Sequence, residues 1–500
     1  MRLFSMNPGQ ARRRLVQGGA ALAAAALVAG CGSAYRPVVT PINTTGPQAQ
    51  PTSYAVVVSA PSTTTPGIAT IIDYSGDSVM AFAPIGPGPV TFTIDATGSS
   101  GYTVNSDRTF SNFPVSTNLQ AKNVTYSTLP ATAQPVNLFS PSAGIWAADL
   151  SGNVVDLFNG FPAAFKLAIP VNTTPVSVAG PGQSGQRVFA ITQGNVASPT
   201  ACNTSPTTGP LGVANGILTV TNTVSSSIPL GKCPVFGLES TDTRRLFVLN
   251  RGDDTVTVIN TQDDTLDNQC PPPTGCTNQS GQKYFTHPTL PLSLGAVTAT
   301  GITPPNGTAG MLQTAGPVYA EFNQATSQLV VADYDAGAIS VIDVSEDEYG
   351  NDSPTFGATF TIPVGNNPAA VTVLNDGSRA YTANQADQTV TVVLLSSHTV
   401  EKTLPITGHP RTVVSTQNSE QGKVYVASPD SPYLTILRTD LDIVDTIVLV
   451  EGNIVDVRTT TQNGTSGNAN SQSRTPGYGQ PCYLPGLANA ATLPQCRTLP

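Results

Sequence analysis

The sequence predicts an all-β protein folded as a single β-propeller of seven or eight four-stranded blades. Three observations support this fold class: a hairpin pattern recurs along the chain, a proline-containing junction separates its copies, and turn-forming residues are abundant. The 500 residues include 45 glycines and 43 prolines, and only 11% of them are charged. Many short strands joined by tight turns require such a composition.

The recurring hairpin consists of two runs of β-branched or aromatic residues around a tip rich in Gly, Asp or Asn. Its copies occupy residues 246–260, 329–343, 380–394 and 424–438, with a slightly shorter one at 145–158. Alternating apolar runs around such a tip are typical of antiparallel hairpins. Hairpins at roughly even spacing indicate a repeat architecture.

A junction of the form Pro, short spacer, then Pro or Gly separates the hairpins. Its copies occupy residues 84–92, 130–138, 170–178, 229–238, 363–371 and 405–413, with weaker ones at 291–297 and 449–457. Proline lacks a donor for the strand ladder, so it belongs at strand ends. Three or four short strands lie between successive junctions, as one propeller blade requires, whereas solenoids need shorter and stricter periods. Eight junctions predict eight blades; seven is the alternative, because residues 53–129 match the pattern poorly.

We expect strands from both ends of the chain to close the ring. An open terminal blade would leave a bare sheet edge, which is a template for aggregation. The run 452–459 is therefore predicted to pair with the blade formed by residues 54–84. The propeller then spans residues 53–460.

The first residues form a predicted export signal. Three arginines, Arg12 to Arg14, precede an Ala/Gly-rich apolar stretch that is too short to span a bilayer. The run Leu27-Val-Ala-Gly-Cys31 resembles the bacterial lipobox. This resemblance implies that residues 1–30 are a lipoprotein signal peptide and that the Cys31 thiol carries lipid. An ordinary secretory peptide is the alternative, and either Sec or twin-arginine export fits.

The resemblance also implies a location in the cell envelope. Gly32 is not the Asp that retains such lipoproteins in the inner membrane, so a lipid-anchored position in the outer membrane, facing the periplasm or the cell surface, is favoured. Residues 31–52 are rich in Pro and Thr and are predicted to be a tether. Residues 461–500 are predicted to be a flexible tail.

Six cysteines remain after Cys31, an even number in a chain that carries an export signal. Proximity in sequence suggests three pairs: Cys202 with Cys233, Cys270 with Cys276, and Cys482 with Cys496. Oxidised pairs are the expected use of cysteine in an exported protein. A metal site built from these cysteines is the alternative to disulfides, but no Cys-x2-Cys spacing is present in the sequence.

The repeat residues resemble a known family. The runs Val424-Tyr-Val-Ala-Ser, Ala380-Tyr-Thr-Ala-Asn and Leu246-Phe-Val-Leu-Asn resemble the YVTN-type β-propeller repeat of bacterial and archaeal surface proteins, which is related to the lactonase-like propellers. The resemblance implies a propeller in a cell-envelope setting. It implies no single activity, because that repeat family has none.

Sequence motifs point to no particular chemistry. The three histidines, His287, His398 and His409, are scattered, and no nucleophile elbow, phosphate loop or dinucleotide fingerprint occurs. A single tryptophan, Trp146, disfavours a quinoprotein whose blades dock through tryptophans. We therefore expect no cofactor, apart from Ca²⁺ at the densest acidic cluster, Glu346, Asp347 and Glu348. Solvated turn residues are the alternative for that cluster.

The net charge of the chain limits the classes of partner that we expect. The chain carries 31 acidic and 22 basic residues, a formal net charge of −9 that becomes more negative once the signal is removed. Nucleic acid is therefore excluded as a partner. We expect an envelope protein, a peptide or a neutral glycan, besides the lipid bilayer at the N-terminal anchor.

The sequence favours a binding or scaffolding module over an enzyme. Long insertions at 196–212 and 261–316 are expected to build the ligand surface on one propeller face, because loops on a rigid scaffold usually carry recognition. The alternative is a lactonase-like or other hydrolytic propeller with its site at the central channel.

The lipobox resemblance yields a first prediction. Replacing Cys31 with Ser removes the thiol that takes the lipid, and each buried acyl methylene contributes about 0.8 kcal/mol to membrane anchoring. The variant should move from the membrane fraction to the soluble fraction on cell fractionation. An unmodified N-terminus at another residue, found by mass spectrometry, would contradict the assignment.

Overall fold

The structure is a computed structural model that describes residues 53–460, apart from 142–143, 161, 182–185, 197–201, 203–205, 293–313 and 417–418. Cys31, Cys482 and Cys496 lie outside the described residues, as do the signal, the tether and the tail. Their assignments stay predictions. Among the described residues, no helix has the length and apolarity that crossing a membrane requires.

The first half of the described chain forms four sheets. The strands are β1 (Tyr54–Ala60), β2 (Pro66–Asp73), β3 (Val79–Pro87); β4 (Pro89–Ile94), β5 (Ser100–Asn105), β6 (Thr109–Pro114), β7 (Thr125–Thr128); β8 (Pro135–Phe139), β9 (Ile145–Asp149), β10 (Val154–Phe158), β11 (Phe165–Pro170); and β12 (Pro175–Ala179), β13 (Arg187–Thr192), β14 (Leu211–Leu218), β15 (Thr223–Lys232). Two short 3-10 helices, Ala121–Asn123 and Pro206–Thr208, lie in the connections.

The second half forms four more blades. The strands are β16 (Pro234–Glu239), β17 (Arg245–Asn250), β18 (Thr255–Asn260), β19 (Thr265–Leu266), β20 (Cys276–Thr277), β21 (Lys283–Tyr284), β22 (Thr289–Pro291); β23 (Pro317–Asn323), β24 (Gln328–Asp333), β25 (Ala338–Asp343), β26 (Thr359–Pro363); β27 (Pro368–Val373), β28 (Arg379–Asn384), β29 (Thr389–Leu394), β30 (Thr399–Pro405); and β31 (Thr412–Ser415), β32 (Lys423–Ala427), β33 (Tyr433–Arg438), β34 (Ile443–Leu449), β35 (Asn453–Thr459).

These strands make eight antiparallel four-stranded blades in a ring, which confirms the predicted fold class and decides for eight blades. We number the blades from the one that contains β1. A proline of the predicted junction opens the inner strand of blades 2 to 5 and of blade 7, as at Pro234 and Pro368. The inner strand of blade 6 begins at Pro317, beyond the weak junction predicted at 291–297. Blades 1 and 2, whose sequences match the repeat poorly, have the same strand order as the others.

The ring closes by pairing the last strand with the first. Blade 1 has the order β3-β2-β1-β35, so the C-terminal strand is its inner strand and the N-terminal segment supplies the other three. Val57 lies opposite Val457 and Ala55 opposite Thr459 in this antiparallel pair. The predicted closure is confirmed.

Apolar side chains fill the spaces between neighbouring blades, because each sheet presents one face to the blade before it and one to the blade after it. Aromatic rings stack across some of these interfaces. The ring centroids of Phe110 in blade 2 and Phe158 in blade 3 are 4.6 Å apart. Phe236 in blade 5 and Tyr319 in blade 6 are separated by 4.8 Å. Such pairs add to the apolar burial that holds the blades together.

Polar side chains on the inner strands hydrogen-bond across the channel edge. The Val373 amide donates to the Glu321 carboxylate of the preceding blade (2.6 Å), and the Val178 amide donates to Asn137 (3.0 Å). Ser415 donates its amide to Thr372 in the same way (3.0 Å). An inner strand has no further strand beside it, so these side chains satisfy backbone donors that would otherwise be buried without a partner.

The Asn that ends the second strand is a buried bridge within blades 2, 5 and 7. Asn384 donates its side-chain amide to Thr389 (3.1 Å) and Thr391 (2.8 Å), and Asn250 does the same with Thr255 and Thr257. In blade 6, Asp333 takes this position and accepts from Ser340 (2.6 Å). The repeated polar residue is therefore structural: it ties the end of the second strand to the third.

Blade 3 carries two carboxyl groups where blades 5 and 7 carry this Asn and Thr pair. Asp149 ends β9, and Asp156 stands at the threonine position of β10; both are buried. Burial first, and then the neighbouring Asp149 carboxylate, raise the pKa of Asp156 to about 8. A protonated Asp156 can donate to Asp149, which already accepts the Gln134 and Ser151 amides.

The closure generates a second prediction. Deleting residues 453–500 removes β35 and exposes the edge of β1, so the whole domain should lose melting temperature, because all blades depend on the closed ring. Deleting 461–500 alone removes none of the described strands and should leave the melting temperature almost unchanged. Equal effects in thermal denaturation would contradict this account of closure.

The carboxyl pair in blade 3 generates a third prediction. Because its folded-state pKa lies above its ordinary value of 3.8, Asp156 lowers the free energy of unfolding progressively as pH rises from about 4 to about 8. Asp156→Asn should therefore gain stability relative to the wild type across that window, measured by thermal denaturation at several pH values. The exposed Asp263→Asn serves as the control and should leave the pH dependence unchanged. The assignment would be contradicted if the melting temperature of the Asp156→Asn variant fell with rising pH as steeply as that of the wild type.

Candidate binding surface

Each blade has two ends, and the long insertions can be placed on them. At one end the inner strand begins and the second strand finishes; Arg251 follows β17 there, so we call it the Arg251 end. The opposite end is marked by Arg245, the first residue of β17. The insertion at 196–212 joins β13 to β14 and so lies at the Arg251 end.

Two of the predicted disulfides are present. Cys202 in the first insertion is bonded to Cys233, which directly precedes β16, with 5.5 Å between their Cα atoms. Cys270 is bonded to Cys276. The Cys202–Cys233 bond therefore fastens the insertion of blade 4 to the junction that leads into blade 5.

Arg251 links the first insertion to blade 6. Its guanidinium donates to the Cys202 carbonyl (2.7 Å) and to both carboxylate oxygens of Asp335 in blade 6 (2.8 Å each). Its side chain is only 3% exposed. A paired, hydrogen-bonded arginine is what a buried charge requires, and a bidentate contact also sets the orientation of both groups.

The end of the second insertion joins this cluster. Thr314 donates its hydroxyl to Asp335 (3.3 Å), and the Gly316 amide donates to Asp254 (2.9 Å). A Cβ added at Gly316 would lie 2.1 Å from Asp335, so only glycine fits there. Arg251 and Asp335 thus connect both insertions through one ion pair. We call Cys202, Cys233, Arg251, Asp254, Asp335 and Gly316 the Arg251 clamp.

Carboxylates outnumber cations in the Arg251 clamp and its surroundings. Burial raises the pKa of Asp335, which the Arg251 guanidinium partly opposes, and burial likewise raises the pKa of Asp254. Asp333 is fully buried beside them, and its pKa lies well above the ordinary value. Loss of Arg251 would therefore leave buried carboxylates with no compensating charge.

The middle of the second insertion lies at the other end, which corrects the expectation that both insertions share one face. The outer strand of blade 5 is split into β19 and β22, and the chain leaves the sheet between them. Asp267, in this excursion, pairs with Arg245 (2.9 Å). The Cys270–Cys276 loop therefore belongs to the excursion, and only the last part of the insertion returns to the Arg251 end.

Arg245 is the centre of a buried charge cluster at its end. Besides Asp267, it contacts Asp352 (3.3 Å) in the connection between β25 and β26. Burial raises the pKa of Asp267 to about 6, an effect that Arg245 opposes. This cluster attaches the excursion of blade 5 to the long connection of blade 6.

The acidic residues proposed for calcium lie in that same connection but serve different contacts. Glu346 pairs with Arg244 (3.0 Å), and burial raises its pKa to about 7. Asp347 accepts the amides of Tyr349 and Asn351, both at 2.9 Å, and Glu348 is exposed. The part of the chain that the structure describes has no group of three or more His, Cys, Asp or Glu residues arranged to hold a metal ion. The calcium site stays an untested prediction.

Two of the three histidines have carboxylate partners that the sequence did not reveal. His287 Nδ1 lies 2.9 Å from Asp352, and His409 Nδ1 lies 2.6 Å from Asp430. Gln388 is 3.1 Å from the other nitrogen of His409, so both ring nitrogens of that residue are engaged. His398 instead stacks on Phe360, with 3.8 Å between ring centroids. Each partner lies on another element, so spacing along the chain gave no signal for it.

The comparisons with known proteins agree with the fold. No protein-family model and no curated protein matches the sequence. The solved structure of apo AztD from Citrobacter koseri aligns with a TM-score of 0.53 and 10% identity, covering 81% of this chain and 97% of that one. The dihydro-heme d1 dehydrogenase NirN, in complex with DHE, aligns with a TM-score of 0.54 and 12% identity, covering 84% and 76%.

A Bacteroides fragilis protein described as a 6-phosphogluconolactonase aligns with a TM-score of 0.47 and 14% identity, covering 83% of this chain and 99% of that one. A score this low adds nothing to the enzyme alternative. At identities of this size, the likeness of this chain to AztD and NirN shows a shared β-propeller fold and no shared activity.

Proposed function

We propose that the protein is a lipid-anchored component of the cell envelope whose propeller binds or scaffolds a partner through the Arg251 end. The partner is an envelope protein, a peptide or a neutral glycan. Cys31 supplies the membrane attachment, and residues 31–52 separate it from the propeller. The observation that carries the binding role is the Arg251 clamp.

The Arg251 clamp supports this role because it fastens Cys202 and residues 314–316, which belong to insertions that the propeller itself does not need, to the ring. Blades 2, 3, 7 and 8 connect their strands at this end without long insertions. The insertions of blades 4 and 5 are instead joined by a disulfide and a buried bidentate ion pair. Ordering a loop before binding lowers the entropic cost of association, which favours recognition by that loop.

The inner strands favour binding over catalysis for a separate reason. Their polar side chains Asn137, Glu321 and Thr372 hydrogen-bond the backbone of the next blade. His409, at the Arg251 end, has both ring nitrogens occupied. A general base needs a nitrogen or carboxylate oxygen that can reach a substrate proton, and these groups are engaged in holding the blades.

The proposal yields a fourth prediction. Arg251→Met removes the ion pair, leaves Asp335 buried without its counter-charge and releases the insertions, so partner capture from solubilised envelopes by the full chain should be lost. Breaking a buried pair costs about 3–5 kcal/mol, so thermal denaturation must accompany the binding assay. Arg438→Met, which breaks the pair with Asp440 in a turn of blade 8, is the control and should capture as the wild type does.

A second variant separates binding from stability. Replacing 196–212 with a short Gly-Ser turn, together with Cys233→Ser, should leave the blades folded and still abolish capture. Undiminished capture by this variant would overturn the assignment to the Arg251 end. Turnover of a lactone or ester by the wild type, lost when carboxylates of the channel are substituted, would favour the hydrolase alternative.

A further inference from the structure

A charged pair links several neighbouring blades at the Arg245 end. A basic residue opens the second strand of one blade and contacts an acid in the turn between the third and fourth strands of the next. The pairs are Arg187 with Asp264 (2.6 Å), Arg379 with Asp442 (3.1 Å) and Lys423 with Asp77. Arg245 occupies the same basic position and finds its acids in the longer connection of blade 6. The pair is therefore a repeated structural joint.

The joint between blades 3 and 4 has lost both partners. Gly144 precedes β9 where blades 4, 5, 7 and 8 carry Arg or Lys, and Asn222 takes the place of the acid. The joint between blades 6 and 7 also lacks the charged pair, with Gln328 and His398 at these two positions. The backbone is unchanged: φ is 55° at Asn222, 50° at Asp442 and 55° at Asp264. The turn geometry is thus kept while both charges are absent.

A cavity of about 280 Å³ opens at this vacant joint. Its apolar walls come from Trp146, Leu157 and Phe158 of blade 3 and Val188 of blade 4, and Asn222 lies on its border. Among the described lining residues, the single charged side chain is Lys166, on the exposed outer strand β11. This volume is close to the lower end of the range for small-ligand sites, so it suits a compact ligand.

Trp146, which lines this cavity, carries an unused hydrogen-bond donor. The side chain is buried, with 2% of its surface exposed, and its indole Nε1 has no hydrogen-bond partner among the described residues. A Cβ at Gly144, which also lines the cavity, would lie 3.8 Å from that nitrogen. Leaving a buried donor without a partner is unfavourable, so an acceptor brought by a ligand is favoured there.

The equivalent aromatic residue of blade 7 shows one use of such a donor. Tyr381 holds the position of Trp146 in its strand, and its hydroxyl donates to Asp442, the acid of the joint. In blade 3 the aromatic donor remains, but Asn222 stands where that carboxylate would be. The site therefore lacks the carboxylate that the equivalent donor contacts in blade 7.

We propose that this cavity binds a small organic acid whose carboxylate replaces the missing acid of the joint. The indole N–H of Trp146 donates to the carboxylate, Lys166 supplies the counter-charge, and the apolar body of the ligand packs against Leu157, Phe158 and Val188. Apolar walls with one donor and one cation are complementary to an apolar anion.

The single tryptophan of the chain allows a direct test, because its indole N–H gives one resonance in the full protein. With ¹⁵N-labelled tryptophan, titration with benzoate or hexanoate should move this resonance downfield in a saturable manner. Benzylamine and hexylamine have the same apolar bodies with the opposite charge and should leave it in place. The proposal would be overturned if neither acid moved this resonance, because the cavity would then hold only water. It would also be overturned if the amines moved the resonance as much as the acids do.

Two conservative variants assign the interaction to the residues named. Asn222→Asp restores the acid of the repeat in a backbone conformation that Asp442 and Asp264 already adopt, and it should weaken benzoate binding about tenfold or more by charge repulsion. Lys166→Gln should weaken benzoate binding and leave that of benzamide unchanged. Lys402→Gln, on the exposed outer strand of blade 7, is the matched control. Unaltered benzoate affinity in both cavity variants, with wild-type melting temperatures, would overturn the placement of the site.

Discussion

Every blade depends on having a partner strand or side chain at its inner edge, and the closed ring exists because of that requirement. An inner strand has a sheet on one side and the channel on the other, so its outward amides need acceptors from elsewhere. Glu321, Asn137 and Thr372 provide them from the preceding blade. The same need at the ends of the chain is met by β35, which pairs with β1 and turns eight separate sheets into one continuous ring.

Equivalent positions in the blades keep the same backbone geometry while the residues at them change. The positions where a blade departs from the usual residues are the ones with different chemistry. The Asn bridge of blades 5 and 7 becomes a carboxyl pair at Asp149 and Asp156, where burial and the neighbouring carboxylate raise the pKa of Asp156. The charged joint becomes a cavity at Gly144 and Asn222. Both exceptions involve blade 3, and the second one also includes Asn222 of blade 4. The surrounding β-sheet is the same in each case, so the change of chemistry at a fixed position is what distinguishes this blade.

The insertions show how a repeat protein acquires an asymmetric surface. Blades 4 and 5 depart from the compact pattern, and their extra residues meet at Arg251 and Asp335. The Arg251 clamp ties loops from separate blades to the rigid ring, which places them at a defined end of the channel. The excursion with the Cys270–Cys276 bond is fastened to the opposite end through Asp267 and Arg245. The second insertion, residues 261–316, thus contributes to both the Arg251 end and the Arg245 end of the propeller.

The sequence by itself determined the features that depend on near neighbours along the chain. Alternating apolar residues around a turn specify a hairpin, proline ends a strand, and cysteines such as Cys270 and Cys276 pair because they are close. The count of eight blades was predicted from the junctions, and the structure decided it against the alternative of seven. Tertiary structure alone decided the contacts between blades: Arg251 with Asp335, His287 with Asp352, and the cavity beside Trp146. These partners are brought together by the stacking of sheets around the ring, and no local period of strand or turn relates one member of such a pair to the other.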